Sequence, residues 1–257
     1  MKRAACRPCG RGLGIAGLCL AALAAPLAAQ DLASQVDTGN RLAALLRAGR
    51  TVVSANQERI NDAALVDKGL TPDAFMAQVT QTYAEANGAA PLEGDLSALQ
   101  RRLTEAQLAA MREVVTESQP LINMEGMGFK GFIPAVFARL VNERFGAAVG
   151  DLARVKVTAP PELVRNRTAR PDAWEAQVIE TRFGAAGHDK GAAWYEMVPG
   201  AQGGEEFRML IPEYYAASCL SCHGTPKGEV DITGFPKEGG AEGDLGGAIS
   251  ITLSAGQ

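Results

Sequence analysis

Histidine is almost missing from this chain and cysteine is scarce: 257 residues contain two histidines and five cysteines. Three of those cysteines, Cys6, Cys9 and Cys19, crowd the N-terminus. A structural zinc site needs four ligands, and apart from that N-terminal cluster only His188 could join Cys219, Cys222 and His223. There is no P-loop, no GxSxG elbow and no kinase signature, so nothing points to a signalling output within this chain. No methionine follows Met209, and no long apolar run follows the N-terminal one. No internal repeat is evident.

The N-terminus has the form of a removable leader. Lys2, Arg3, Arg7 and Arg11 occur without any acid, an apolar run follows from Leu13 to Leu27, and Ala28-Ala29 supply small residues for cleavage. The run falls short of the about 20 apolar residues of a bilayer span. A lipid anchor on Cys19 is disfavoured by bulky Leu18 before it. Residues 1–29 are therefore expected to be a signal peptide, with export to the periplasm and no stable membrane insertion afterwards. Removing them takes away four basic residues and no acid, leaving 21 basic against 29 acidic side chains and a net charge near −8. That balance argues against nucleic acid as a partner.

What remains of the cysteine is concentrated in Cys219-Leu220-Ser221-Cys222-His223, a CxxCH run. Two thiols three positions apart reach the two vinyl groups of one haem, and the adjacent imidazole ligates the iron. A disulfide across this spacing would staple almost nothing. A thioredoxin-type pair belongs at the start of a helix early in its fold, whereas this pair lies late in the chain. An oxidising compartment suits covalent haem. One haem c is the expected cofactor, with His223 on the iron.

Periodicity divides the mature chain. Residues 30–150 read as helical, with a first segment from Leu32 to about Asp62 bent near Gly49. Thr71-Pro72-Asp73 opens a second helix with Phe75, Met76, Val79 and Tyr83 on one face. Thr104 with Gln107 reads as the capping box of a third, and Ile133 to Phe145 gives a fourth. Ala86 to Ser97 is expected to be a loop. Residues 151–257 change period. Val155 and Val157, Trp194 to Val198, Phe207 to Ile211 and Ala248 to Leu253 read as strands, with a helix from Asp172 to Phe183 between them. The expected class is α+β, helices followed by an antiparallel sheet, both parts forming one continuous domain. Those strands exclude a four-helix cytochrome c′ bundle. A small class I cytochrome c places CxxCH near its N-terminus with a methionine ligand well downstream, which this chain lacks.

The chain resembles the PAS-like c-type haem domain family, which occurs alone in exported bacterial and cyanobacterial proteins. The same family serves as the periplasmic sensor of some histidine kinases and chemoreceptors. The resemblance is carried by Lys130-Gly131-Phe132-Ile133-Pro134, the RNRTARPDAWE run from Arg165 to Glu175, and Phe207-Arg208 with Pro212-Glu213-Tyr214-Tyr215. Cys219 to Gly224 and Gly246 to Leu253 complete it. Arg167-Thr168-Ala169 departs from the Asn-Pro type of turn common in relatives. The resemblance implies a PAS-like sheet preceded by helices, thioethers on Cys219 and Cys222, and His223 as proximal ligand. Some relatives supply a distal Cys from the first helical region; here Val52 to Ile60 holds no Cys, Met or His.

Met127 and Met124 are the nominated distal ligands, an open iron comes next, and His188, read as an exposed loop residue, comes third. Arg165, Arg167 and Arg208 are candidates for propionate pairing because guanidinium forks match carboxylates. Their alternative role is a structural ion pair. Trp174, Tyr214 and Tyr215 are candidates for the haem wall, or plain core. Glu205-Glu206 and Lys237-Glu238 read as solvated charges. The expected function is electron transfer or redox and ligand sensing. The expected partner is a redox or signalling protein, with NO or CO as possible ligands and a homodimer possible. A peroxidase-like enzyme using an open iron is the alternative.

Overall fold

The structure, a computed structural model, describes residues 21–200 and 203–254, with side chains from Asp31 onward. The first twenty residues of the expected leader lie outside the described residues. Helix α1 (Ala21–Ala55) runs unbroken past Gly49 and ends at Asn56, and a short α2 (Gln57–Asn61) follows. Gly49 is thus not a bend. Its missing side chain lets Phe137 and Met111 approach: a Cβ there would lie 2.8 Å from the Phe137 ring and 3.2 Å from the Met111 sulfur.

Helix α3 (Pro72–Asn87) starts as its sequence directs. The Thr71 side chain accepts from Ala74 N, Pro72 occupies the first turn, and Gly88 closes the helix in the left-handed region. Helix α4 (Ala98–Ile122) begins earlier than expected. Its capping box is Ser97 with Gln100, while Thr104 and Gln107 are buried inside the helix. There Gln107 donates to the Leu42 carbonyl at 3.2 Å, tying α4 to α1. Helix α5 (Pro134–Val149) completes the helical part.

Strands β1 (Ala153–Thr158), β2 (Trp194–Pro199), β3 (Glu205–Tyr214) and β4 (Leu245–Ser254) form one antiparallel sheet in the order β1-β4-β3-β2. Strict alternation sorts their side chains. Val155, Phe207, Met209, Ile211, Ile249, Ile251 and Leu253 share one apolar core with Leu42, Leu45, Leu46, Phe137 and Phe145 of the helices. Leu210 and Ala248 point the other way, onto Val178, Ile179 and Phe183. Helix α6 (Ala173–Val178), capped by Asp172 and running into a π-helical turn at Ile179–Phe183, supplies that second layer. Ion pairs fix α6 across the sheet: Lys156 to Glu175 at 2.6 Å and Arg208 to Asp172 at 2.7 Å. The class is α+β, and the main core spans both parts of the chain.

Two buried lysines hold the connection after α2. Lys68 donates to the carbonyls of Asp62 and Leu65. Lys130 donates to those of Ile60 at 2.6 Å and Met127 at 2.7 Å. The carbonyls of Ile60 and Asp62 are ones that the end of α2 leaves without partners, and those of Leu65 and Met127 belong to the loops packed beside it.

Helix propensity alone would make Gly49→Ala stabilising by about 1 kcal/mol. The crowding against the Phe137 ring predicts the opposite sign, a net loss of about 1 kcal/mol. Denaturant unfolding of the two proteins checks it.

Candidate functional site

The CxxCH run sits in an excursion between the two central strands. Chain leaving β3 after Tyr214 forms a tight turn at Ala217–Cys219 and then a single helical turn, α7 (Leu220–His223). Residues three apart on a helical turn share a face, so this geometry presents Cys219 and Cys222 together. Both thiols are unpaired and partly buried. Burial pushes the Cys222 thiol up, against a smaller opposing pull from the Ser221 hydroxyl.

After α7 the chain makes a small hairpin and returns to the helix it left. Val230 bridges Pro236, and Asp231 N donates to the Phe235 carbonyl at 2.8 Å. Gly239 N then bonds the Gly224 carbonyl at 3.1 Å, and Gly240 N bonds that of His223 at 2.8 Å. This return places Glu238 against the histidine: its Oε2 lies 2.9 Å from His223 Nδ1. An ionised carboxylate only accepts, so Nδ1 carries a proton, and in the neutral imidazole the lone pair is then on Nε2. The Tyr215 ring stacks on the imidazole, centroids 5.0 Å apart and planes 20° off parallel. Tyr215 needs glycine behind it, since a Cβ at Gly240 would lie 2.6 Å from its ring. Burial, then the nearby Glu238 charge, pushes the Tyr215 hydroxyl up to about 12.

Arg165 organises this assembly. Its Nε and one terminal nitrogen grip Glu238 at 2.7 and 3.0 Å. The other terminal nitrogen reaches Asp231 at 2.6 Å and Thr233 at 3.3 Å, and a further bond meets the Cys222 carbonyl at 2.9 Å. All five guanidinium donors are thereby committed. Burial alone would raise both acids. Hydrogen bonds from Thr233 and Arg165 outweigh it at Asp231, and those from Arg165 and His223 outweigh it at Glu238. Both carboxyls are held below the usual range.

Several nominated residues lie elsewhere. Arg208 belongs to the α6 face, paired with Asp172 and Glu175 and stacked on Trp174. Like Arg165, it is taken by protein carboxylates. Arg167 is exposed and makes no ion pair among the described residues. Tyr214 meets Lys190, whose ammonium lies 5.5 Å from its ring, while it is Tyr215 that stacks on His223. Met124 and Met127 are 40 and 41 % exposed on a turn tied to Ala63 and Lys130. No hydrogen bond joins that turn to α7 among the described residues. His188 is not an exposed loop residue: its ring packs on Phe183 at 5.2 Å and its Nε2 is buried without a partner.

Glu238 and Asp231 are the residues the sequence reading missed. Glu238 is no solvated surface charge, with its side chain 15 % exposed. A second omission is Arg47 and Arg50 of α1, which both bond Glu213 near the end of β3, each at 2.6 Å. Two guanidinium groups share one carboxylate there, leaving a positive charge two residues from Tyr215.

The donor set suits a covalently attached haem: two unpaired thiols on one helical face, next to an imidazole whose Nε2 is available. The Tll0287-like family model, described as Tll0287, matches residues 37–254. No curated protein and no solved structure matches the chain.

Asp231 titrates lower in the folded than in the unfolded state. Its contribution to stability is full above the unfolded carboxylate pKa of about 4 and is lost as pH falls through the folded value. Arg165→Met is expected to cost about 3 kcal/mol at neutral pH by leaving that acid unpaired. It should also flatten the loss of stability below about pH 4. Urea midpoints measured across pH 2–7 for both proteins test the pair.

Proposed function

The chain belongs to the Tll0287-like family, and on that footing we propose that it is an exported, periplasmic mono-haem c-type protein with a PAS-like sheet. Its proposed role is electron transfer or redox and ligand sensing toward a partner protein. The observation that carries this reading is the side-by-side placement of two unpaired thiols and an imidazole with only Nε2 free. In this reading Cys219 and Cys222 form the thioethers and His223 binds the iron. When bound, the haem supplies one-electron chemistry and, at an open coordination position, a site for small gases.

The chain's own residues then divide the remaining tasks. Val230 and Ile232, 66 and 65 % exposed, stand with Phe235 on the hairpin that Arg165 holds against α7. Such apolar surface suits the wall of a macrocycle better than water. Arg47 and Arg50, with one positive charge in excess over Glu213, are the proposed propionate partners, with exposed Arg167 second. Arg165 and Arg208 have their carboxylates already. Met124 and Met127 stand on an exposed turn held by Ala63 and Lys130, with no hydrogen bond to α7 among the described residues. An iron without a methionine ligand fits this arrangement better, which favours sensing over pure electron carriage.

The matured protein is expected to keep its haem through denaturation, and the double variant Cys219→Ala, Cys222→Ala to carry none. Absorption spectra, oxidised and reduced, then assign the role. A reduced spectrum that shifts at once with CO means an open iron; a low-spin one indifferent to CO means a closed site and electron transfer. Haem that washes away from the denatured wild-type chain would refute the reading.

A further inference from the structure

Haem proteins set their iron through what the proximal imidazole gives its other nitrogen to. Here that partner is a carboxylate, and the fold goes to some length to keep it there. Arg165 grips both oxygens of Glu238. Backbone bonds from Gly239 and Gly240 to the Gly224 and His223 carbonyls lock the segment right after it. The Tyr215 ring, stacked on the imidazole, limits rotation of His223. Charge does not cancel in this cluster, because one guanidinium faces two carboxylates, Asp231 and Glu238. One negative charge is left beside His223, in a region where Asp231 is fully enclosed.

We propose that Glu238 is a positioning residue for His223. It fixes the proton on Nδ1, aims Nε2, and with Asp231 supplies a net negative charge that favours ferric over ferrous iron. This rests on the haem reading above and adds a direction to it: a low reduction potential and an oxidised resting state. Physically, an imidazole hydrogen-bonded to an anion is the stronger donor, and a nearby uncompensated negative charge stabilises the more positive metal.

The test is a spectroelectrochemical titration of haem-loaded wild type, Glu238→Gln, Asp231→Asn and Glu229→Gln. Glutamine keeps a hydrogen-bond acceptor without the charge, and asparagine removes the second charge without touching His223. Glu229, exposed and paired with Lys237 on the same hairpin, is the control. The expected result is an upward shift of potential in Glu238→Gln, a smaller one in Asp231→Asn and none in Glu229→Gln. A purely structural role for Glu238 would lower thermal stability and leave the potential where it was. An unchanged potential in haem-loaded Glu238→Gln overturns the inference while the haem reading stands. Should that variant fail to mature, an unchanged potential in Asp231→Asn overturns it equally. Wild type without covalent haem overturns both.

Discussion

One guanidinium ties three points of a late excursion to a residue far earlier in the chain, because it has five donors to place. Arg165 bonds a carboxylate 66 positions away, another 73 positions away and a carbonyl 57 positions away. Of these partners only Cys222 lies in a helix, the single turn of α7. The hairpin at Asp231 and the turn at Cys219 are too short to hold a shape by themselves, since an isolated helical turn is unfavourable. Their shape is therefore borrowed from a charge that must be neutralised. A buried ion cluster is weak evidence for overall stability, but its geometry is demanding, and here that geometry fixes the carboxylate on His223 Nδ1.

The framework around this cluster follows from simpler rules. β1 and β4 show apolar and polar residues in alternation, whereas β3 contains a continuous apolar run, because a sheet covered on both faces sends Met209 one way and Leu210 the other. Helix starts with a proline and a threonine cap are equally plain. The start of α4 was less so. Ser97 with Gln100 and Thr104 with Gln107 carry the same capping pattern, and nothing local chooses between them. The choice is tertiary: Gln107 is needed inside, against the Leu42 carbonyl. Gly49 misled for the same reason, since a glycine that admits a neighbouring ring and one that bends a helix look identical in sequence.

At the site, the thiols and the imidazole were legible because their chemistry depends on spacing within five residues. Their supports were not. Glu238 stands 15 positions beyond His223 and next to a lysine, so it resembles any surface charge. Only the return of the chain through Gly239 and Gly240 brings it back. The dense glycines of that region were the available sign of close backbone approach, though they do not say to what. Arg47 and Arg50 escaped because charges on a long helix normally face water.

The whole excursion from Tyr215 to Asp244 is closed at its base, Tyr215 N bonding the Asp244 carbonyl and Gly243 N bonding that of Tyr215. The strands on either side, β3 and β4, are immediate neighbours in the sheet. The two thiols, His223, Asp231 and Glu238 are thus all carried on a detour between two segments that pair without it. Substitutions within residues 215–244 therefore bear on the site first, while the apolar core shared by the sheet and the helices keeps its own contacts.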